Sequence, residues 1–164
     1  MNPSNLTPKD AARSLYQRTD TSEAPVDLVP VLRHLGMIVD EGALIGTDGT
    51  LRQVDDHWRI MLRRSMSHTK KRWEVAKQVG ICVMPTKGMT ITARDADRFA
   101  AELLMPPLAT KEAFQSRRVW LKDALSVGMS ATKDDMVRGL AWQFEVNYAA
   151  MAIRLDELKL WETR

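Results

Sequence analysis

The chain has 164 residues, 45% of them hydrophobic and 27% charged, ordinary usage for one globular domain that can bury a core without staples or a structural metal. Its 24 Lys and Arg against 21 Asp and Glu leave a net charge of +3, too small an excess to argue for nucleic acid without a clustered basic face. The lone cysteine, Cys82, excludes an internal disulfide, and no apolar run approaches the roughly 18 residues of a membrane span.

The stretch Met1 to Asp10 is polar and holds two prolines, unlike a signal peptide, so a cytoplasmic protein is expected. Thr7-Pro8-Lys9-Asp10 reads as an N-cap, a first-turn proline and a first-turn acid, opening a helix over 8–18. Asp27 caps a short helix through Leu35 that Gly36 ends. Met37-Ile38-Val39 reads as a strand, Thr47-Asp48-Gly49 as a hairpin signal between two further candidate strands, and Trp58-Arg59-Ile60-Met61-Leu62 as one more strand. A small antiparallel sheet is therefore expected within 37–62.

From Lys70 onward the period lengthens. Trp73, Ala76, Gly80 and Val83 form a helical stripe over 72–84 that Pro85 stops. Thr92-Ala93-Arg94-Asp95 opens a second helix through Leu104, halted at Met105-Pro106-Pro107. Further helices are predicted over 110–118, 132–144 and 147–160. The whole reads as a single domain over 1–164: helices to 36, sheet over 37–62, a helix pair within 70–106 and helices over 110–164.

The run Arg98-Phe99-Ala100-Ala101-Glu102-Leu103-Leu104-Met105-Pro106 resembles the ImmA/IrrE metallopeptidases, regulatory zinc peptidases often encoded beside a DNA-binding repressor in mobile elements. Pro25-Val26-Asp27-Leu28 leading to Leu35-Gly36, and Phe144-Glu145-Val146-Asn147 with Arg154-Leu155, extend the likeness in the same order. The resemblance implies an α+β, mainly helical zincin-like fold with a small antiparallel sheet and a C-terminal helix-turn-helix-like pair.

Where that family writes Ala-His-Glu-x-Gly-His, this chain writes Ala76-Lys77-Gln78-Val79-Gly80-Ile81. Two histidines four apart share a helix face and hold one zinc, and the Glu between them is the general base on the metal-bound water. An ammonium at Lys77 repels a cation, Ile81 has no donor atom, and the Gln78 carboxamide takes no proton near neutral pH. The family's third ligand, a Glu, aligns with Ala93. The expectation is a degenerate peptidase with neither metal nor cofactor, in which Lys77 stands in for the zinc charge and pairs with Asp97.

His34, His57 and His68 show no ligand spacing. Cys82 is rotated about 100° from the lost ligand position at Ile81, and reads as a small core residue. Arg63, Arg64, Lys70, Lys71 and Arg72, with Arg59 nearby, make the densest basic stretch, a candidate binding surface together with Lys77, Gln78 and Asp97. The function expected is regulation by binding a protein, with a repressor or another regulator of a phage or mobile element as first candidate. Two readings compete with it: a transcription regulator contacting DNA directly through the helix-turn-helix-like residues 132–160 and the basic stretch 59–72, and an active hydrolase with an unorthodox site.

Overall fold

Residues 7–84, 91–126, 128, 130 and 132–161 are described by a computed structural model of the chain. Helix α1 (Pro8–Thr19) begins where the Thr7 hydroxyl accepts the Asp10 N–H, and α2 (Leu28–His34) begins where the Asp27 carboxylate accepts the Val29 N–H. Gly36, at φ +63°, closes the α2 turn in the left-handed region that glycine enters without a Cβ clash.

Strands β1 (Met37–Gly42), β2 (Gly49–Val54) and β3 (His57–Arg63) form a sheet of order β1-β3-β2. β2 pairs antiparallel with β3, but β1 pairs parallel with it, with Met37 opposite Trp58 and Gly42 opposite Arg63. The expected antiparallel sheet is thus a mixed one. The hairpin turn is Asp55-Asp56, with Asp55 at φ 52° between the paired Val54 and His57, while Thr47-Asp48 only leads into β2. Burial explains why β3 is central: Ile60 and Leu62 are shut from water, and the strand richest in apolar side chains takes the position covered on both edges.

Helices α3 (His68–Val83) and α4 (Ala93–Leu104) follow. The Thr92 hydroxyl caps α4 by accepting the Asp95 N–H; the predicted stop at Pro85 lies outside the described residues. Helix α5 (Pro107–Ser126) runs further than 110–118 at both ends, and its earlier start is possible because Pro107 takes a first-turn position where its missing N–H is harmless. α6 (Lys133–Gln143) starts with a full capping box between Thr132 and Asp135, and Asn147 caps α7 (Tyr148–Glu157).

Helix α4 is the hub. Its buried Phe99, Ala100, Leu103 and Leu104 pack against α1 through Ala11, Ala12 and Leu15, and against α3 through Val75, Ala76 and Val79. Gly80 lets α3 and α4 close, since a Cβ there would lie 2.6 Å from Cδ1 of the Phe99 ring. Among the described residues no helix is long and apolar enough to cross a membrane.

Candidate functional site

Lys77, Gln78 and Ile81 lie along α3, and Ala93 is the first residue of α4. One carboxylate organises the first two. Lys77 Nζ donates to Glu74 Oε2 at 2.9 Å, and Gln78 Nε2 donates to Glu74 Oε1 at 2.7 Å. The spacing is i to i+3 and i to i+4, so all three side chains share one helix face. Glu74 is 6% exposed, and Gly49 of β2 lies so close that a Cβ there would come within 2.5 Å of its Cγ.

The expected pair of Lys77 with Asp97 is not formed. Asp97 is exposed and accepts a hydrogen bond from Trp73 Nε1 at 3.1 Å. Lys77 reaches Glu74 along its own helix, whereas Asp97 lies one turn into α4 and meets the indole first. One turn beyond Lys77 on α3, Ile81 is 39% exposed, and Ala93 at the start of α4 is exposed. Cys82 packs partly buried against the core, and burial raises its thiol pKa.

The basic stretch is largely engaged by acids. Arg63 pairs with Asp48, Lys71 with Glu41 at 2.7 Å and Arg59 with Asp40 at 2.7 Å. Arg72 pairs with Glu145 at 3.2 Å and donates to the Val26 carbonyl at 2.9 Å; burial lowers its pKa, while Glu145 and Asp27 oppose that shift. Arg64 and Lys70 are exposed. The sequence cluster is therefore divided among separate ion pairs, which fasten the sheet and the start of α3, and does not form one open cationic patch. His34, His57 and His68 are all exposed, with His68 Nε2 3.2 Å from Glu145 Oε2.

Arg154, the first base of α7, is 3% exposed. Its Nε and Nη2 donate to the Met105 carbonyl at 3.0 and 2.9 Å, and Nη1 and Nη2 donate to the two oxygens of Glu102 at 2.9 and 2.8 Å. This fork ties α7 to the end of α4. It leaves Tyr148, Ala149 and Ile153 among the exposed residues of α7, a poor set for reading bases. Sequence reasoning missed both Glu74 and Glu102, although a Glu placed three and four residues before Lys77 and Gln78 was a readable helical pairing signal.

The positions that the family resemblance assigns to zinc do not fit a zinc ion. Lys77 supplies an ammonium already paired with Glu74, and Ile81 and Ala93 carry no donor atoms. Among the described residues no group of three His, Cys, Asp or Glu is placed to hold a metal elsewhere. Searches of curated proteins and of solved structures return no match. A family model described as Peptidase_M78, IrrE N-terminal-like domain, does match, over residues 35–156, which takes in the sheet and α3 to α6 whole and nearly all of α7. Sheet, helix pair and C-terminal helices thus carry one family signature, and the chain belongs to the Peptidase_M78 family through its IrrE N-terminal-like domain.

Proposed function

We propose that this protein is a non-catalytic member of its family, acting in the cytoplasm as a regulator that binds another protein. The observation that carries the reading is the Glu74 carboxylate, with one oxygen bonded to Lys77 and the other to Gln78. A zinc peptidase needs a cation with an open coordination position and a nearby base to take a proton from the bound water. Here the cation is a paired ammonium, and the base position holds a carboxamide.

A face that once received a peptide and no longer cuts it is suited to holding one. Exposed Ile81 offers an apolar contact, and Lys77, one turn before it on α3, offers a partly exposed ammonium. The partner we propose is a repressor or another DNA-binding regulator of a phage or mobile element, controlled by sequestration where active relatives use cleavage.

Two measurements test this. Elemental analysis of protein purified without chelators is expected to find no stoichiometric zinc, and one tightly held zinc per chain would overturn the non-catalytic reading. Affinity capture from the native host is expected to recover one specific regulator with the wild type and to lose it with Ile81→Glu. An unchanged yield with that variant would remove this face as the binding surface.

A further inference from the structure

At the opposite end of α4 from Ala93, a cleft of about 1200 Å³ opens between α1 and α5. One wall is a complete helical face: Leu108, Glu112, Ser116 and Trp120 recur every four residues along α5, with Ala109, Ala113 and Arg117 beside them. At 1.5 Å per residue that face is about 18 Å long. The other wall is Lys9, Arg13, Tyr16 and Gln17 of α1, also at helical spacing. The floor includes Pro106 and Pro107. The void exceeds the usual range of small-ligand pockets, roughly 300–1,000 Å³, and its α5 wall is as long as a three-turn helix.

Chemistry narrows the occupant. Leu108 is 69% and Trp120 51% exposed, large apolar anchors on the α5 side. Lys9 and Arg13 are exposed one turn apart on the α1 side, and among the described residues neither forms an ion pair. Of the acids lining the cleft, Glu102 is taken by Arg154, while Glu23 lies on the link after α1 and Glu112 on the α5 side. Of the five buried side-chain atoms without a hydrogen-bond partner among the described residues, two belong to residues that line this cleft: the Tyr16 hydroxyl and Nε of Arg117. Burial, reinforced by the Glu102 carboxylate, raises the Tyr16 pKa far above its ordinary value, so the hydroxyl stays a donor. Buried donors without acceptors are rare, because each forfeits its hydration. A ligand rich in acceptors would satisfy both.

We infer that this cleft receives an acidic amphipathic helix of a protein partner, its apolar stripe on Leu108 and Trp120 and its carboxylates toward Lys9 and Arg13. This is helix-in-groove recognition, in which anchors three to four residues apart supply affinity and the charged edge sets orientation. The face is separate from the α3–α4 surface of the proposed function, so either can fail alone.

The test is selection of a phage-displayed library of 16-residue helical peptides on the full chain. The expected winners carry apolar residues at helical spacing and a net negative charge. Their binding is expected to fall at least tenfold with Trp120→Ala and with the double variant Lys9→Glu, Arg13→Glu. These side chains are exposed, and unchanged thermal unfolding of the variants would establish that the fold is intact. Ile81→Glu is expected to leave peptide binding unchanged. Recovery of neutral or basic peptides, failure to enrich any, or binding that survives both cleft variants would overturn the inference. So would sedimentation showing a dimer that Trp120→Ala converts to monomer, because the face would then belong to a second copy of this chain.

Discussion

A carboxylate 6% exposed, like Glu74, is tolerable only when its oxygens are paired, because the lost hydration must be replaced by donors. Both donors come from the next turn of its own helix, at Lys77 and Gln78. Lys77→Met removes one and leaves Oε2 without that donor. The expected loss is about 1–3 kcal/mol of stability by urea unfolding, below the range for a fully buried pair because the ammonium keeps some contact with water. A variant as stable as wild type would mean that Glu74 finds another partner. Gly80→Ala is expected to lower stability by about 1–3 kcal/mol, since the methyl group would meet the fully buried Phe99 ring. Thermal unfolding of that variant measures how rigidly α3 and α4 are packed.

Among the elements, α4 has two different ends. Its N-terminal turn carries Ala93 and Asp97 on the surface, whereas its C-terminal end is held by Arg154 reaching across from α7 to Glu102 and the Met105 carbonyl. Arg154→Ala should therefore leave a mostly buried carboxylate and a buried carbonyl unpaired, at a cost of about 3–5 kcal/mol, read as a lowered melting temperature. Arg154→Lys is expected to recover only part of it, because an ammonium cannot reproduce the planar fork that spans both acceptors. Full recovery by lysine would show that charge alone, and not the fork, holds α7. Sheet order belongs to this scale too. The turn at Asp55-Asp56 makes β2 and β3 neighbours locally, while β1 reaches β3 only by passing β2 in sequence, a pairing decided by burial of Ile60 and Leu62.

For the molecule as a whole, the poor fit of Lys77, Ile81 and Ala93 to a zinc ion has a thermodynamic consequence. A ligand that binds the native state raises stability in proportion to the logarithm of its concentration over its dissociation constant. Added zinc and added chelator are therefore both expected to leave the melting temperature unchanged. A chelator-induced drop would reveal a structural metal and overturn that expectation.

The sequence by itself determined the helix starts at Thr7, Asp27 and Thr92, because capping is a contact between residues two or three apart. It also determined the family framework at Phe99 to Pro106, which lies within the family match over residues 35–156, since identity at a fixed register needs no coordinates. The pairing of Lys77 with Glu74 was open to reading from its i to i+3 spacing, but only the tertiary structure decided that Asp97 goes to Trp73, that β1 runs parallel to β3, and that Arg154 turns inward to Glu102. Those outcomes depend on which of several reachable partners lies nearest once the core closes, and sequence separation does not encode that choice. The cleft between α1 and α5 belongs to the same class: its walls are separate helical stripes some hundred residues apart, and only packing on α4 and α6 brings them face to face.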